Sequence, residues 1–244
     1  MARYRIDVLL ARKGLAESRE KARVLVMAGA VYVSGERIAK PDRLVEEDEP
    51  IEIKTNAIPY VGYGGVKLEK AVREFGLDVR GRTAVDIGSS TGGFVDFLLQ
   101  AGAVKVYAID VGTHQLHEKL RADARVVLLE NVNARFLAPE QIGGEKADII
   151  TIDVSFISIK KIIPSALLLL APAGLLITLV KPQFEVGRYQ VGKGGIVRSE
   201  ERILSVVDDI REYGIGLGLH VLGVVETPRE RERKNREYFI LWER

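Results

Sequence analysis

Cysteine is absent from the 244 residues, and histidine, methionine and tryptophan number only three, two and one. No disulfide, thiolate metal site or cysteine nucleophile can therefore form, and a reducing compartment is expected. No metal site is predicted. An excess of one charge is also missing: 36 Lys and Arg stand against 34 Asp and Glu, a net +2, so the surface as a whole is no polyanion trap. The opening Met-Ala-Arg-Tyr-Arg lacks an apolar core of signal-peptide length behind it, which points to a cytoplasmic protein. One apolar run, Ile162 to Val180, carries no charge for nineteen positions, enough for a membrane span. Pro164 and the Ala171-Pro172-Ala173-Gly174 break divide it instead into a helix of 165–170 and a strand of 175–180.

What is present is ordinary globular composition, 47% hydrophobic and 29% charged, with room for one large domain and a small one. The stretch Thr83 to Phe94 reads as a strand with a carboxylate at its end, a turn with three glycines in six residues, and a helix from Gly93. A second apolar run, Val104 to Ile109, ends in Asp110, where a carboxylate can take both hydroxyls of a ribose. The turn is Asp-x-Gly-x-x-x-Gly-Gly rather than Gly-x-Gly-x-x-Gly. An acid ahead of the glycines suits S-adenosylmethionine, whose ammonium and sulfonium are cationic, better than a dinucleotide diphosphate. An ordinary strand-to-helix turn with an acid near a helix N-terminus accounts for the same residues.

Beyond this turn, strands and helices alternate: strands at 104–109, 126–129, 148–152, 175–180, 219–225 and 237–242, and a helix at 200–213. Such alternation predicts a mostly parallel, doubly wound α/β sheet of Rossmann type whose sites lie at the strand C-terminal ends. Asp86, Asp110, Asp153 and Lys181 all fall at that edge. Ahead of the turn, 66–75 reads as a helix with Lys67 in its first turn, where a cation opposes the helix dipole.

Residues 1–43 hold ten Lys or Arg against five acids. Two short helices are expected there, one ended by Gly14 and one capped by Ser18, followed by a small sheet with strands at 31–33 and 51–53. Arg19 and Arg23, four apart on one helical face, are either a solvated surface or a seat for phosphates. Arg5-Ile6-Asp7, Gly14, Ser18-Arg19-x-x-Ala22, Gly29-x-Val31-x-Val33-x-Gly35 and Lys40-Pro41 resemble the RNA-binding domain named after the fourth protein of the small ribosomal subunit. The boundaries read as 1–54 for this α+β domain, 55–62 for a linker containing Pro59, and 63–244 for the larger domain.

Asp86-Ile87-Gly88-Ser89-Ser90-Thr91-Gly92-Gly93-Phe94, Asn133-Ala134-Arg135, Asp153-Val154-Ser155-Phe156, Lys181-Pro182-Gln183-Phe184-Glu185 and Asn235-Arg236-Glu237-Tyr238-Phe239 resemble the FtsJ-like methyltransferases. The whole chain resembles the TlyA family, haemolysin A-like ribosomal RNA ribose 2′-O-methyltransferases. That resemblance implies a catalytic tetrad of Lys67, Asp153, Lys181 and Glu237. Lys181 would be the base, Lys67 its neighbouring cation, and the two acids would orient the ammonium groups. It assigns Asp86, Gly88, Gly92 and Phe94 to the methionine end of S-adenosylmethionine, Asp110 to the ribose and Asn133 to the adenine edge. Arg5, Arg19 and Arg23, with Arg188 and Lys193 on the loop of 186–197, would meet RNA. The partner would be ribosomal RNA or ribosomal subunits. A non-catalytic RNA-binding or ribosome-assembly protein, and a membrane-active haemolysin, are the alternative readings.

Overall fold

Ile6, Leu9 and Leu10, and Ala22 and Val26, recur at helical spacing, and in the computed structural model of the protein they form the buried side of two short helices. The structure describes residues 3–27, 30–53, 58–187, 190–192, 194–229 and 234–244. It divides into two units, Met1–Ile58 and Pro59–Arg244.

In the first unit β1 (Arg3–Arg5) runs into α1 (Ile6–Arg12), and Gly14 at φ +69° follows its end. Ser18 precedes α2 (Arg19–Met27), and its hydroxyl accepts from Lys21 N–H at 3.1 Å, the cap expected from the sequence. The chain continues through β2 (Val31–Val33), β3 (Glu36–Arg37), β4 (Leu44–Glu46) and β5 (Ile51–Ile53). β2 pairs antiparallel with β3 and β5, and β1 with β4. Val31, Val33, Ile38 and Val45 close the core against the helices.

The second unit contains α3 (Tyr63–Glu74), β6 (Thr83–Ile87), α4 (Gly93–Gln100), β7 (Lys105–Ile109), α5 (Glu118–Arg121), β8 (Val126–Leu129) and β9 (Ala147–Ile152). After these come α6 (Ile163–Leu169), β10 (Leu170–Val180), α7 (Pro182–Glu185), α8 (Glu200–Gly216), β11 (His220–Glu226) and β12 (Tyr238–Glu243). Its seven-stranded sheet has the order β11-β12-β10-β9-β6-β7-β8. β8, β7, β6, β9 and β10 are parallel, whereas β12 lies antiparallel to both β10 and β11.

Adjacent residues of the central strands enter opposite cores. Ile150 and Leu176 pack with Ile163 of α6 and Ile210 of α8, while Ile149 and Ile177 pack with Leu68 of α3 and Leu98 of α4. A sheet covered on both faces needs such continuously apolar strands, and this is the doubly wound architecture read from the sequence.

Three details differ from that reading. α3 begins at Tyr63, so Lys67 lies in its second turn, because Gly64 and Gly65 give no helical signal although their backbone is helical. The Ala171–Gly174 break lies inside β10, where the register with β9 shifts between Leu170 and Leu175 and Ala173 takes φ +55°. A bulge lets an unsuited tetrapeptide remain in a strand. β1, β3 and β4 are two or three residues long and carry charges that hide any alternation. Among the described residues, no helix is long and apolar enough to cross a membrane.

Candidate active site

Asp86 is the fourth residue of β6, and its side chain is inside the sheet, 1% exposed, rather than at an open edge. Thr151, its register partner on β9, donates its hydroxyl to Asp86 Oδ1 at 2.7 Å. Burial pushes the Asp86 carboxyl up to about 7; the Thr151 and Ser89 hydroxyls oppose the rise, and the charges of Asp153 and Asp110 add to it.

The turn beyond β6 admits glycine for specific reasons. Gly88 has φ +89°, and a Cβ there would stand 2.3 Å from the Asp153 carbonyl oxygen. Gly92, at φ +98°, precedes α4, and a Cβ on it would stand 2.2 Å from Leu120 Cδ1. Gly88→Ala is expected to lower the melting temperature and to abolish measurable cofactor binding, because a backbone atom must move. Gly81→Ala, also at positive φ but with nothing within 4 Å, is the control and should cost only the conformational strain, about 1 kcal/mol. Equal losses in the two variants by thermal melting and calorimetry would remove the close-approach argument.

Asp110 follows β7, and its two carboxylate oxygens accept from Ser90 N–H and Gly112 N–H, each at 2.7 Å. Asn133 caps a short 3-10 helix, its carbonyl accepting from Arg135 N–H at 3.2 Å. Asp110 and Asn133 line a cavity of about 520 Å³ together with Gly88, Asp153 and Phe156. A second cavity, of about 150 Å³, is lined by Asp86, Gly88, Phe94, Asp153 and the Gly62–Gly64 segment. Gly88 and Asp153 are common to both, so the two adjoin. Gly92 lines neither and serves the turn.

The tetrad positions come together through sheet register. Val180 pairs with Tyr238 at the end of the β10–β12 ladder, so Lys181 leaves the sheet where Glu237 enters it. Lys67 reaches across from α3, its Nζ 2.6 Å from Glu237 Oε2. Lys181 pairs with Asp153, which follows β9, and donates to Ser155 Oγ at 3.1 Å. All four side chains are at most 22% exposed, so neither pair is an ordinary solvated surface bridge. Lys67 and Glu237 line a third cavity, of about 540 Å³, with Tyr63, Gln183 and Phe184. The structure thus pairs each lysine with one acid.

Several residues carried by the motifs, and Asp96 outside them, acquire partners that the sequence does not specify. Gln183 Nε2 donates to Glu237 Oε1 at 3.4 Å, and Phe184 lies against both Lys181, at 6.0 Å, and the exposed ring of Phe156, at 5.0 Å. Glu185 accepts from Ile159 N–H at 2.9 Å, tying α7 to the loop after Asp153, and burial raises its carboxyl. Asp96, 2% exposed on α4, accepts from Val61 N–H at 2.9 Å, and Gln100 donates to the Pro59 carbonyl at 2.9 Å. These bonds hold Pro59–Val61 against α4; residues 55–57 of the connector lie outside the described ones. An acid alone among apolar residues, Asp96 in Gly93 to Leu99, was the available signal.

In the first unit Arg5 and Arg19 do not stand apart on the surface. Both grip the buried Asp7: Arg5 with two bonds of 3.1 Å and Arg19 with one of 3.0 Å. Their guanidiniums, Arg5 foremost, hold the Asp7 carboxyl below its usual range against the opposing effect of burial. The two arginines remain 44% and 55% exposed, a braced pair whose outer faces are open to an anion. Arg23 is exposed on α2. Arg188 and Lys193 lie outside the described residues.

The FtsJ-like methyltransferase family matches residues 60–244, and the S4 domain matches residues 5–51. The 16S/23S rRNA (cytidine-2′-O)-methyltransferase TlyA of Mycobacterium tuberculosis is 41% identical over 239 residues, covering 98% of this chain and 89% of that protein. A solved structure of a hemolysin-named protein from Streptococcus thermophilus superposes with a TM-score of 0.78 at 41% identity, covering 100% of this chain and 89% of the other. The structure of an S-adenosylmethionine dependent methyltransferase from Mesorhizobium loti, 14% identical with a TM-score of 0.56, covers 75% of this chain and 100% of its own, and shares the fold. On this sequence match and this architecture, the chain belongs to the FtsJ-like methyltransferase family, of the TlyA kind, with an S4 domain ahead of the methyltransferase domain.

Proposed function

We propose that the protein methylates ribose 2′-hydroxyls of ribosomal RNA with S-adenosylmethionine, and that its N-terminal unit docks the RNA. The observation that carries this reading is the meeting of the Lys67–Glu237 and Lys181–Asp153 pairs at the strand ends, beside the glycine turn.

The residues fit the cofactor. Asp86 is buried, has its carboxyl raised to about 7 and faces a small cavity, an arrangement that a cation stabilises. The adjoining cavity offers Asp110 for ribose hydroxyls and Asn133 for an adenine edge. When bound, S-adenosylmethionine supplies a methyl group on a positively charged sulfur. Lys181 is placed to take the proton of the 2′-hydroxyl, and Asp153 and Ser155 would hold the ammonium that results. Lys67, fixed by Glu237, presents a cation toward the developing negative charge on the oxygen. Correct alignment of the reacting groups contributes as well, up to ~7–11 kcal/mol.

The cavity of about 540 Å³ beside Lys67 suits one nucleotide turned out of its stack. In the first unit, the Arg5–Asp7–Arg19 cluster and Arg23 present guanidiniums to phosphates.

Purified protein incubated with labelled S-adenosylmethionine and ribosomal subunits or naked ribosomal RNA is expected to place label on RNA, at riboses resistant to alkaline cleavage. Label on a base, or no label on any of these substrates, would overturn the reading.

A further inference from the structure

We propose that Asn235 is a positioning residue that fixes one wall of the cavity holding the target nucleotide; this rests on the methyl-transfer reading above. Both ends of its carboxamide are engaged by one short stretch of backbone. Oδ1 accepts from Val197 N–H at 2.9 Å, and Nδ2 donates to the Gly195 carbonyl at 2.8 Å. A single side chain thus pairs with an N–H and a C=O two residues apart, as a neighbouring strand would. Among uncharged side chains of this length, only asparagine both donates and accepts in this way.

The clasped stretch belongs to the substrate side. Gly194, Gly195 and Ile196 line the same cavity as Lys67, Gln183 and Glu237. Gly194 and Gly195 stand at φ +80° and +77°, where side chains are disfavoured, so this part of the wall is bare backbone that a flat base can approach closely. The stretch is braced from within by bonds of 3.0 Å from Gly192 N–H to Ile196 O and from Gly195 N–H to Gly192 O. Val197, 3% exposed, anchors it in the core.

Asn235 is two residues ahead of Glu237, and the intervening Arg236 is itself fixed, holding Glu226 with bonds of 2.9 and 2.8 Å and Glu200 with one of 2.8 Å. The clasp therefore sets the distance between the backbone wall and the carboxylate that orients Lys67. The wall and the Lys67–Glu237 pair act as one mould for the nucleotide. The cofactor-side cavities contain neither Asn235 nor the clasped residues, so the effect of losing the clasp falls on RNA.

The test uses the full-length protein, S-adenosylmethionine and purified ribosomal subunits that the wild type methylates. In Asn235→Ala the KM for the subunit is expected to rise about tenfold, because the released wall must be ordered again when RNA binds, while the cofactor Kd stays near wild type and the melting temperature falls only slightly. Asn235→Asp keeps the acceptor for Val197 N–H but sets an oxygen against the Gly195 carbonyl, and a similar rise is expected. An unchanged KM in both variants overturns the proposal. A fall in cofactor affinity that parallels the rise in KM also overturns it, since it would make the clasp a general structural tie. A wild type that labels no RNA removes the underlying reading, a result distinct from either.

Discussion

Lys181→Arg is expected to lower methyl transfer to ribosomal RNA by roughly 10²–10⁴-fold, the range supplied by a positioned general base. The substitution is a sharper test than alanine. Arginine keeps a cation for the carboxylate of Asp153, yet its guanidinium stays protonated and offers no lone pair to a ribose proton. Lys181→Ala should lose activity to a similar degree, but it also leaves Asp153 without its partner at a site where the two side chains are only 12% and 22% exposed. Single-turnover transfer from labelled cofactor, with cofactor affinity measured in parallel, separates chemistry from binding. Affinity within about twofold of wild type alongside the rate loss is the expected result. A Lys181→Arg enzyme that retains more than about a tenth of wild-type transfer would sink the base assignment and leave alignment by the pocket as the main source of rate.

Cofactor affinity is expected to climb with pH up to about 7 and then level off, because Asp86 must ionise to meet a cation. The sign follows from its burial. An acid whose folded value is raised to about 7 remains protonated in the free protein while the unfolded chain, near the ordinary carboxyl value of 3.8, is already ionised. Asp86 therefore weakens the folded state progressively as pH rises through this window, by a total on the order of 4 kcal/mol above it. A cation in the cavity lowers the value again, so binding below about pH 7 releases a proton, and the association constant gains up to about tenfold per pH unit. Asp86→Asn keeps an acceptor for the Thr151 hydroxyl without the charge. Near pH 8 it should melt higher than wild type, bind S-adenosylmethionine at least about tenfold more weakly, and show little pH dependence of affinity. Calorimetry in buffers of different ionisation enthalpy measures the proton directly. A pH-independent wild-type affinity, with no proton exchanged, would contradict the role given to this carboxylate.

The parts of the site carried by consecutive residues were legible before any coordinates. β6, the glycine turn and α4 follow one another without interruption, and the apolar runs of β7, β8, β9 and β10 are bounded by polar or breaking residues. Lys67, Asp153, Lys181 and Glu237 were reached by motif resemblance; what places Lys181 next to Glu237 is the Val180–Tyr238 register, which no local pattern encodes. The burial of Asp86 was missed for a related reason. A carboxylate near a strand end looks exposed until the neighbouring strand supplies a hydroxyl such as that of Thr151. The bracing of Arg5 and Arg19 by Asp7 is not legible in sequence, where Arg19 groups with Arg23 on one helical face, because Asp7 sits in the apolar helix Ile6–Arg12 and its inward direction is visible only in three dimensions. Asn235 and Gln183 stand within the motif runs, but what their amides hold is set by tertiary partners that the runs do not encode.

The last strand in sequence is not the last in space: β12 is inserted between β10 and β11. During synthesis, β10 and β11 are both complete while the strand that separates them has yet to be made, so the sheet must wait with a gap. Glu237 and the neighbouring turn arrive with that late strand, and the reactive centre closes in the same event that seals the sheet. Deleting β12 would not trim a border but split the β-sheet down a seam, leaving β11 unattached and Glu237 without the strand that seats it beside Lys67.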